Sequence, residues 1–599
     1  MNPWGRSTSY TPDVVNIQKT VAVVGLAVLV GPSWARDDSP WEQRPPSSVE
    51  QLAPGTRAPA FIADQFDGLG AGFEGPQGTA TFRNPSDNSL AVGPDHIVQT
   101  VNSRMAIFTK QGSRYETSGR VLYGPVPTNN VFRGFGGPCE ARNNGDAVVR
   151  YDQLANRWLI VMPVFSRGEE RPDQPPVWTP SANAYVSPVG HVDQPGAAVA
   201  LFAPAAPAVP AVPAVPAVPA APAVPAAPAA PAAPAAPAAP AASGPYSMCY
   251  AISSGHDPFG PYFRYEFLRP LFPDYPRPAI WSDGYYVPSS SGDDVIEKHT
   301  CVVERDRMLD GQPAREQCFV VSGVNFLNNA DLDGPQLPPR GAPNVVIAAG
   351  GTQLKDVLED DAVFAWRMFT NWTDPTRSRL EGPARIAVAP YRYLCGGQLT
   401  NCVPQPGTDR RLDAQGDKIM ARLVYRRLGN VESIVGVHSI DTAAGGGGVR
   451  WYEFRVDARR NVSLYQQGTY APAALAPTPQ APEAPKAPYA PLFRWMASPA
   501  IDKLGNIGIG YSFGGLPNFA GQRFAGRTPA DPKGVLSLRE AVLVEGEAAQ
   551  TNTLRWEDYS QTAIDPGDDC TIWYSGDYLQ AGATSYRTRI GAFRLPGCS

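Results

Sequence analysis

Charge, histidine and long apolar stretches are what this sequence has least of. Only 18% of the 599 residues are charged, and 51 Lys and Arg stand against 56 Asp and Glu, a formal net charge of -5. Without a basic excess there is no electrostatic footprint for nucleic acid, which is excluded as an expected partner. The five histidines, His96, His191, His256, His299 and His438, form no HExxH and no close pair, which disfavours a histidine metalloprotease. No CxxC occurs, so a zinc cluster is not expected. There is no GxSxG, no P-loop and no GxGxxG between a strand and a helix. Nucleophile-elbow hydrolases, P-loop enzymes and dinucleotide-binding folds are thereby disfavoured.

Proline and glycine are abundant instead, 65 and 57 residues. Both disfavour helix interiors, which argues against a helical bundle or coiled coil. The apolar run from Thr20 to Val30 follows Lys19 and precedes Ser33-Trp34-Ala35. It has the charge, length and small-residue cleavage pattern of a signal peptide over 1–35, and it is too short to span a bilayer. The mature chain is therefore expected to be soluble, monomeric and without a membrane span. Its expected location is secreted, extracellular or cell-surface, with the periplasm as the alternative. Eight cysteines, an even number, suit disulfides in such a compartment. Sequence proximity pairs Cys301 with Cys318, Cys395 with Cys402 and Cys570 with Cys598, leaving Cys139 with Cys249.

From Ala203 to Ala242 only Ala, Pro and Val occur, with proline at every third position from Pro204 to Pro240. That period matches polyproline II, and the tract reads as an extended or disordered strut inserted in a folded body. A second, weaker tract runs from Ala471 to Pro491. Elsewhere short β-rich runs recur behind an aspartate, at Asp87, Asp146, Asp274, Asp417 and Asp558. Turn sequences such as Asp152-Gln-Leu-Ala-Asn, Asp502-Lys-Leu-Gly-Asn and Asp565-Pro-Gly-Asp-Asp lead into second strands, the signature of hairpins. Units starting near 87, 146, 274, 343, 417, 495 and 558, each of about four strands, predict an all-β fold, a β-propeller of seven four-stranded blades. The division expected is a signal peptide over 1–35 and an N-terminal extension over 36–80. The propeller follows over 81–599, interrupted by a Pro/Ala-rich insertion at 167–243 and a Pro-rich loop at 471–491. The last strand, ending at Arg594, is expected to close the ring against an early strand.

Gly134-Phe-Gly-Gly-Pro-Cys139, Asn143-Asn-Gly-Asp146, Tyr151-Asp-Gln-Leu-Ala-Asn-Arg-Trp158, Pro404-Gln-Pro-Gly407, Tyr465-Gln-Gln-Gly-Thr-Tyr470 and Arg555-Trp-Glu-Asp-Tyr-Ser560 carry a resemblance. Over residues 80 to 166 and 244 to 599 the chain resembles a widespread, uncharacterised family of secreted bacterial proteins that look like β-propellers of sialidase-like shape. The resemblance implies fold and export and brings over no catalytic residue. The sialidase Asp-box, Ser-x-Asp-x-Gly-x-Thr-Trp, is missing.

In a propeller the ends of the innermost strands surround one mouth, so the five recurring aspartates are expected to converge there. Clustered carboxylates repel unless neutralised, which makes Asp87, Asp146, Asp274, Asp417 and Asp558 candidate Ca²⁺ ligands. The plainer expectation is that each aspartate caps its own turn. Arg150, Arg277, Arg422 and Arg494, with Tyr151, Trp281, Trp495 and Trp556, are candidates for a sugar-binding floor of guanidinium forks and aromatic faces. Arg555 and Tyr559 lie beside them in sequence. The function expected is glycan or polysaccharide binding at the channel mouth. The first alternative is a carbohydrate-active enzyme, a hydrolase or lyase, with Asp146, Glu557 and Asp558 as the catalytic carboxylates. The second is a structural surface protein.

Overall fold

The structure, a computed structural model, describes residues 43–166, 243–291, 297–351, 361–397, 401–477 and 489–598. It also describes strand pieces at Trp178–Thr179, Ala184–Ser187, Val189–Val192 and Val199–Ala200. The signal-peptide reading, the strut at 203–242 and most of the 471–491 tract fall outside these residues. The fold is all-β, with 50% strand and 5% helix, and it includes a sheet curled into a half-barrel. Among the described residues no helix is long and apolar enough to cross a membrane.

Antiparallel four-stranded units follow one another along the chain. The first joins Ser89–Val92, His96–Val101, Arg104–Thr109 and Val121–Pro127. The second joins Val148–Asp152, Arg157–Ser166, Ser243–Ser253 and Pro261–Arg269. The third begins with the short pieces Pro273–Asp274 and Ala279–Ile280 and continues through Tyr285–Ser291, Glu297–Val303 and Glu316–Val321, with Ala184–Ser187 at its outer side. The fourth runs Asn328–Asp333, Asn344–Ala349, Ala362–Phe369, Arg379–Ala387, and the fifth Leu423–Leu428, Val431–Asp441, Gly447–Val456, Val462–Tyr470. These two are joined into one sheet by parallel pairing of Ala330 with Leu423 through Asp333 with Arg426. The sixth contains Tyr489–Ile501, Ile507–Gly515, Asn518–Arg527 and Ala541–Val544. The last contains Gln561–Ile564, Ile572–Tyr578 and Arg587–Arg594.

The fourth strand of that last unit is Phe61–Gly70, paired antiparallel from Phe61 with Arg594 to Gly70 with Arg587. The 36–80 stretch is therefore no appendage, which corrects the expected boundary at 81. Its sequence, FIADQFDGLG, carries Asp64 and Asp67 on opposite faces and ends in Gly-Leu-Gly, and so reads poorly as a strand. Those acids are used: Asp67 Oδ1 accepts from Arg589 at 2.8 Å, and Asp67 Oδ2 pairs with Arg587 at 3.2 Å. Glu50–Gln51 likewise joins the fifth unit, parallel to Thr469 and Tyr470.

The fourth unit begins at Asn328, ahead of the expected start near 343. Asn328–Asp333 is polar, and its Asp331-Leu-Asp333-Gly334 segment has turn-like composition, yet all six of its residues are buried. The ion pairs that make this tolerable are described below. The hairpin turns form as their sequences predict. Asp152 Oδ1 accepts from the amides of Leu154 and Ala155 at 3.0 and 3.2 Å, and Asp502 Oδ1 from those of Leu504 and Asn506 at 2.9 and 3.0 Å.

Apolar faces of neighbouring sheets fill the space between units. Phe524 and Phe593 stack at 4.1 Å between the sixth and last sheets. Gly510 is required there, since a Cβ would lie 2.4 Å from the Tyr574 ring. Four disulfides form in the pairing expected from proximity: Cys139–Cys249, Cys301–Cys318, Cys395–Cys402 and Cys570–Cys598. Polar bonds tie the first strands together. The Val149 amide donates to Ser89 Oγ at 3.2 Å, the Ile280 amide to Asp331 Oδ1 at 2.9 Å and the Thr562 amide to Ser498 Oγ at 3.0 Å. Gln561 Nε2 donates to the Leu90 carbonyl at 2.7 Å, linking the last unit to the first.

Candidate functional site

The residue before an inner strand often has a left-handed backbone: φ is 45° at Asp87, 53° at Asp146, 52° at Tyr275 and 68° at Asp558. Short polar side chains tolerate this conformation best, which gives the recurring aspartates a backbone cause. The same turns bring their carboxyls to one place. Asp146 hydrogen-bonds Asp87 on one side and Asp274 on the other, and Asp558 acts on all three through its charge.

Burial pushes the Asp87 carboxyl well above the usual carboxylate range, helped by the Asp558 charge. Burial, then Asp87, does the same to Asp146, and burial, then Asp146, to Asp274. Asp146 and Asp274 keep a share of solvent exposure, whereas Asp87 is buried. Neutral carboxyls can share protons where carboxylates would repel.

The partners of the group differ. Asn102 Nδ2 donates to Asp87 Oδ2 at 2.6 Å. Arg555 grips Asp558, and Gln415 Nε2 donates to Asp558 Oδ1 at 2.8 Å. Arg555 Nε also reaches Asp413 Oδ2 at 2.9 Å. Asp417 stands aside from the other four. It is tied to Lys418 Nζ at 2.6 Å and Asn325 Nδ2 at 2.7 Å, and it reaches the group through Lys418 and Gln415, which bonds Asp558, and through its field on Tyr275 and Arg277.

A calcium ion needs several oxygens within about 2.6 Å of one point. Among the described residues, the one set of three metal-type side chains with ligand atoms all within 4.8 Å is Cys301, Glu316 and Cys318, whose sulfurs form a disulfide. The aspartates are thus gathered into a hydrogen-bonded row, without the close three-ligand set a cation would require.

Glu557, a candidate acid, has no exposure. Its oxygens accept from Ser512 Oγ and Gln522 Nε2, both at 2.9 Å, and from the Asp577 amide at 2.6 Å. Burial, then Asp577, pushes its carboxyl well above the usual range. Glu557 thus holds the sixth and last units together, while Asp146 and Asp558 belong to the aspartate row.

The aromatic floor does not form, and this corrects the sequence reading. Trp281 and Trp495 are 0% exposed and Trp556 is 1% exposed. Indoles at the ends of inner strands fill the wedge between sheets, where the apolar area is buried, and no face is left for a sugar. Tyr151 packs edge-on against Trp158 at 4.7 Å, and Arg494 is locked on Glu540 at 2.8 Å.

Arg150, Arg277 and Arg422 line a cavity with Asn328, Tyr559 and Gln561. Arg150 pairs with Asp331, while Arg422 Nε bonds Asp331 Oδ2 at 2.7 Å and its Nη1 bonds Asp333 Oδ2 at 3.2 Å. Arg150 and Arg422 also line a second space, with Tyr151, Gln153, Asp333 and Ile564. Asp331 and Asp333 were missed as site residues. The legible signal was Asn329, Asp331 and Asp333 at alternate positions, one polar face of a strand awaiting arginines.

No protein-family model matches the chain, and no curated protein matches it. Among solved structures, a protein of unknown function from Dyadobacter fermentans DSM 18053 is similar over 54% of this chain and 95% of its own, with a TM-score of 0.23 and 11% identity. A likeness that slight informs neither fold nor activity.

Proposed function

We propose that this chain is an exported seven-bladed β-propeller that binds a hydroxyl-rich ligand, a glycan, at the opening formed by Asp87, Asp146, Asp274 and Asp558. Support for the closed ring comes from seven successive four-stranded units, from the bond of Gln561 to Leu90, and from Phe61–Gly70 completing the last sheet. Support for export comes from four disulfides and the N-terminal apolar run.

The observation that carries the glycan reading is the convergence of carboxyls from separate units, those of Asp87, Asp146 and Asp274 pushed up toward the neutral form by burial and by neighbouring carboxyls. A neutral carboxyl both donates and accepts, as sugar hydroxyls do. Specificity would then come from hydrogen bonds, since the tryptophans are inside. The test is a polysaccharide panel read by calorimetry with the mature protein and with Asp146→Asn and Asp274→Asn. Binding by the parent that weakens about tenfold in either variant, the worth of one or two hydrogen bonds, is expected. Absence of binding across the panel overturns the reading.

One feature favours a hydrolase as the second reading. Asp558 is clamped by Arg555, while burial and Asp87 push the Asp146 carboxyl up. Two carboxyls in such unlike surroundings are the pairing that glycoside hydrolysis uses. Release of reducing ends from a bound polysaccharide, lost in Asp146→Asn and in Asp558→Asn, would select it over simple binding.

A further inference from the structure

Arg277 is the least satisfied buried cation among the described residues. It is 5% exposed. Its Nε donates to the Leu327 carbonyl at 3.0 Å, and its guanidinium lies 4.6 Å from the Tyr275 ring centre and 5.2 Å from that of Phe326. Yet neither Nη1 nor Nη2 has a hydrogen-bond partner. Asp274 and Asp417 act on it through space without bonding it, and burial lowers its pKa to about 10. Leaving two charged donors dry costs several kcal/mol in principle, so the site is built for something to fill it.

The surroundings say what. Tyr559 lines the same cavity, and its buried hydroxyl also has no partner; the Arg150 Nε is a third unmatched donor nearby. The other polar groups there are already engaged. Asn328 Nδ2 donates to the Ile419 carbonyl at 2.8 Å, and Gln561 Nε2 to Leu90. Arg150 and Arg422 are held by Asp331 and Asp333, so of the three cavity arginines Arg277 alone has no ion-pair partner among the described residues. Finally the space is walled by apolar groups, Val148, Pro276, Pro278 and Leu423, which suits a compact, weakly hydrated occupant.

We infer that Arg277 Nη1 and Nη2, with the Tyr559 hydroxyl, form a binding site for a compact monovalent inorganic anion of the halide class. The unmatched atoms of Arg277 and Tyr559 can all donate, which suits an occupant that only accepts. The anion supplies the counter-charge that lets Arg277 sit between two aromatic rings. It is independent of any glycan bound at the aspartates.

The probe is bromide. Crystals of the mature protein soaked in sodium bromide are expected to show one anomalous peak at hydrogen-bond distance from both Nη atoms of Arg277 and from the Tyr559 oxygen. In solution, thermal unfolding is followed against bromide concentration and against a bulky organic anion at equal ionic strength. Bromide is expected to raise the midpoint beyond the organic anion, as a ligand of the folded state does. Tyr559→Phe, which keeps the ring, is expected to need about tenfold more bromide for the same rise, the worth of one charge-assisted hydrogen bond. Arg277→Gln is expected to abolish both peak and effect. Water density without anomalous signal, equal stabilisation by the two anions, or a peak that survives in Arg277→Gln would each overturn the assignment.

Discussion

Asp331 makes the sharpest energetic prediction. It stands on the first strand of the fourth unit and is 2% exposed. One oxygen is shared by Arg150 from the second unit and Arg422 ahead of the fifth, and the other accepts from the Ile280 amide of the third. Four units thus meet on one carboxylate. Asp331→Asn keeps the size and an acceptor for Ile280 but removes the charge, leaving Arg150 and Arg422 with Asp333 alone. Breaking a buried ion pair from one side costs about 3–5 kcal/mol, because the partner charge is stranded. Unfolding entropy of about 2.1 cal/mol/K per residue, over roughly 450 described residues, gives about 0.9 kcal/mol/K. The expected fall in Tm is therefore about 3–5 °C, measured by calorimetry on the mature protein. Adding Arg150→Met to Asp331→Asn removes the stranded charge and leaves Arg422 with Asp333, so the double variant should regain more than half of the loss. A fall of less than about 1 °C, or a double variant less stable than Asp331→Asn alone, would refute the stitch.

Three further outcomes follow from the same geometry. The folded-state pKa of Asp146 is raised. Between about pH 4, the ordinary carboxylate value, and that raised value the folded chain binds a proton the unfolded chain has released, so its stability falls as pH rises. Asp146→Asn removes this loss. It should unfold at a higher temperature than the parent near pH 8 and at the same temperature near pH 4; a variant less stable at both would show that Asp146 is held as an anion. The Cys139–Cys249 disulfide closes a separation of 110 residues, worth up to about 4.7 kcal/mol by loop entropy. The double serine variant should lose up to about 5 °C in Tm, and no change would place the stabilisation elsewhere. In the second unit Ala200 pairs with Pro261, whereas Tyr246 pairs with Arg269 at the far end of the same strand, with Ser243 beyond it. Ala200 and Ser243 therefore stand about ten strand residues apart, roughly 33 Å. Shortening the Ala/Pro tract to about fifteen residues should leave Tm unchanged, since extended chain covers about 3.3 Å per residue. Leaving only five cannot span that distance and should lower Tm; an unchanged Tm at five would refute the pairing of Val199–Ala200.

What was legible in the sequence was whatever local chemistry alone decides. Asp152, Asp502 and Asp565 announce hairpins because an aspartate bonds the amides two to four residues on, and those turns form. The recurring aspartates were legible as one set for the same reason: a left-handed residue precedes the strand at Asp87, Asp146 and Asp558. The disulfide pairs were legible because three of the four close within 28 residues or fewer.

What failed depended on partners far away in the chain. Asn328–Asp333 looked like a turn because its acids have no local match; they become strand residues only when Arg150 and Arg422, from other units, arrive to neutralise them. Phe61–Gly70 looked like an extension because its pairing strand lies more than 500 residues away, at Arg587–Arg594. The tryptophans failed in the opposite direction. Their positions at the ends of inner strands were legible, but exposure is a property of the neighbouring sheet, and Trp281, Trp495 and Trp556 turn into it. With those aromatic faces withdrawn, the glycan reading proposed above has to rest on hydrogen bonds in place of stacking, set by which of Asp87, Asp146 and Asp274 hold protons.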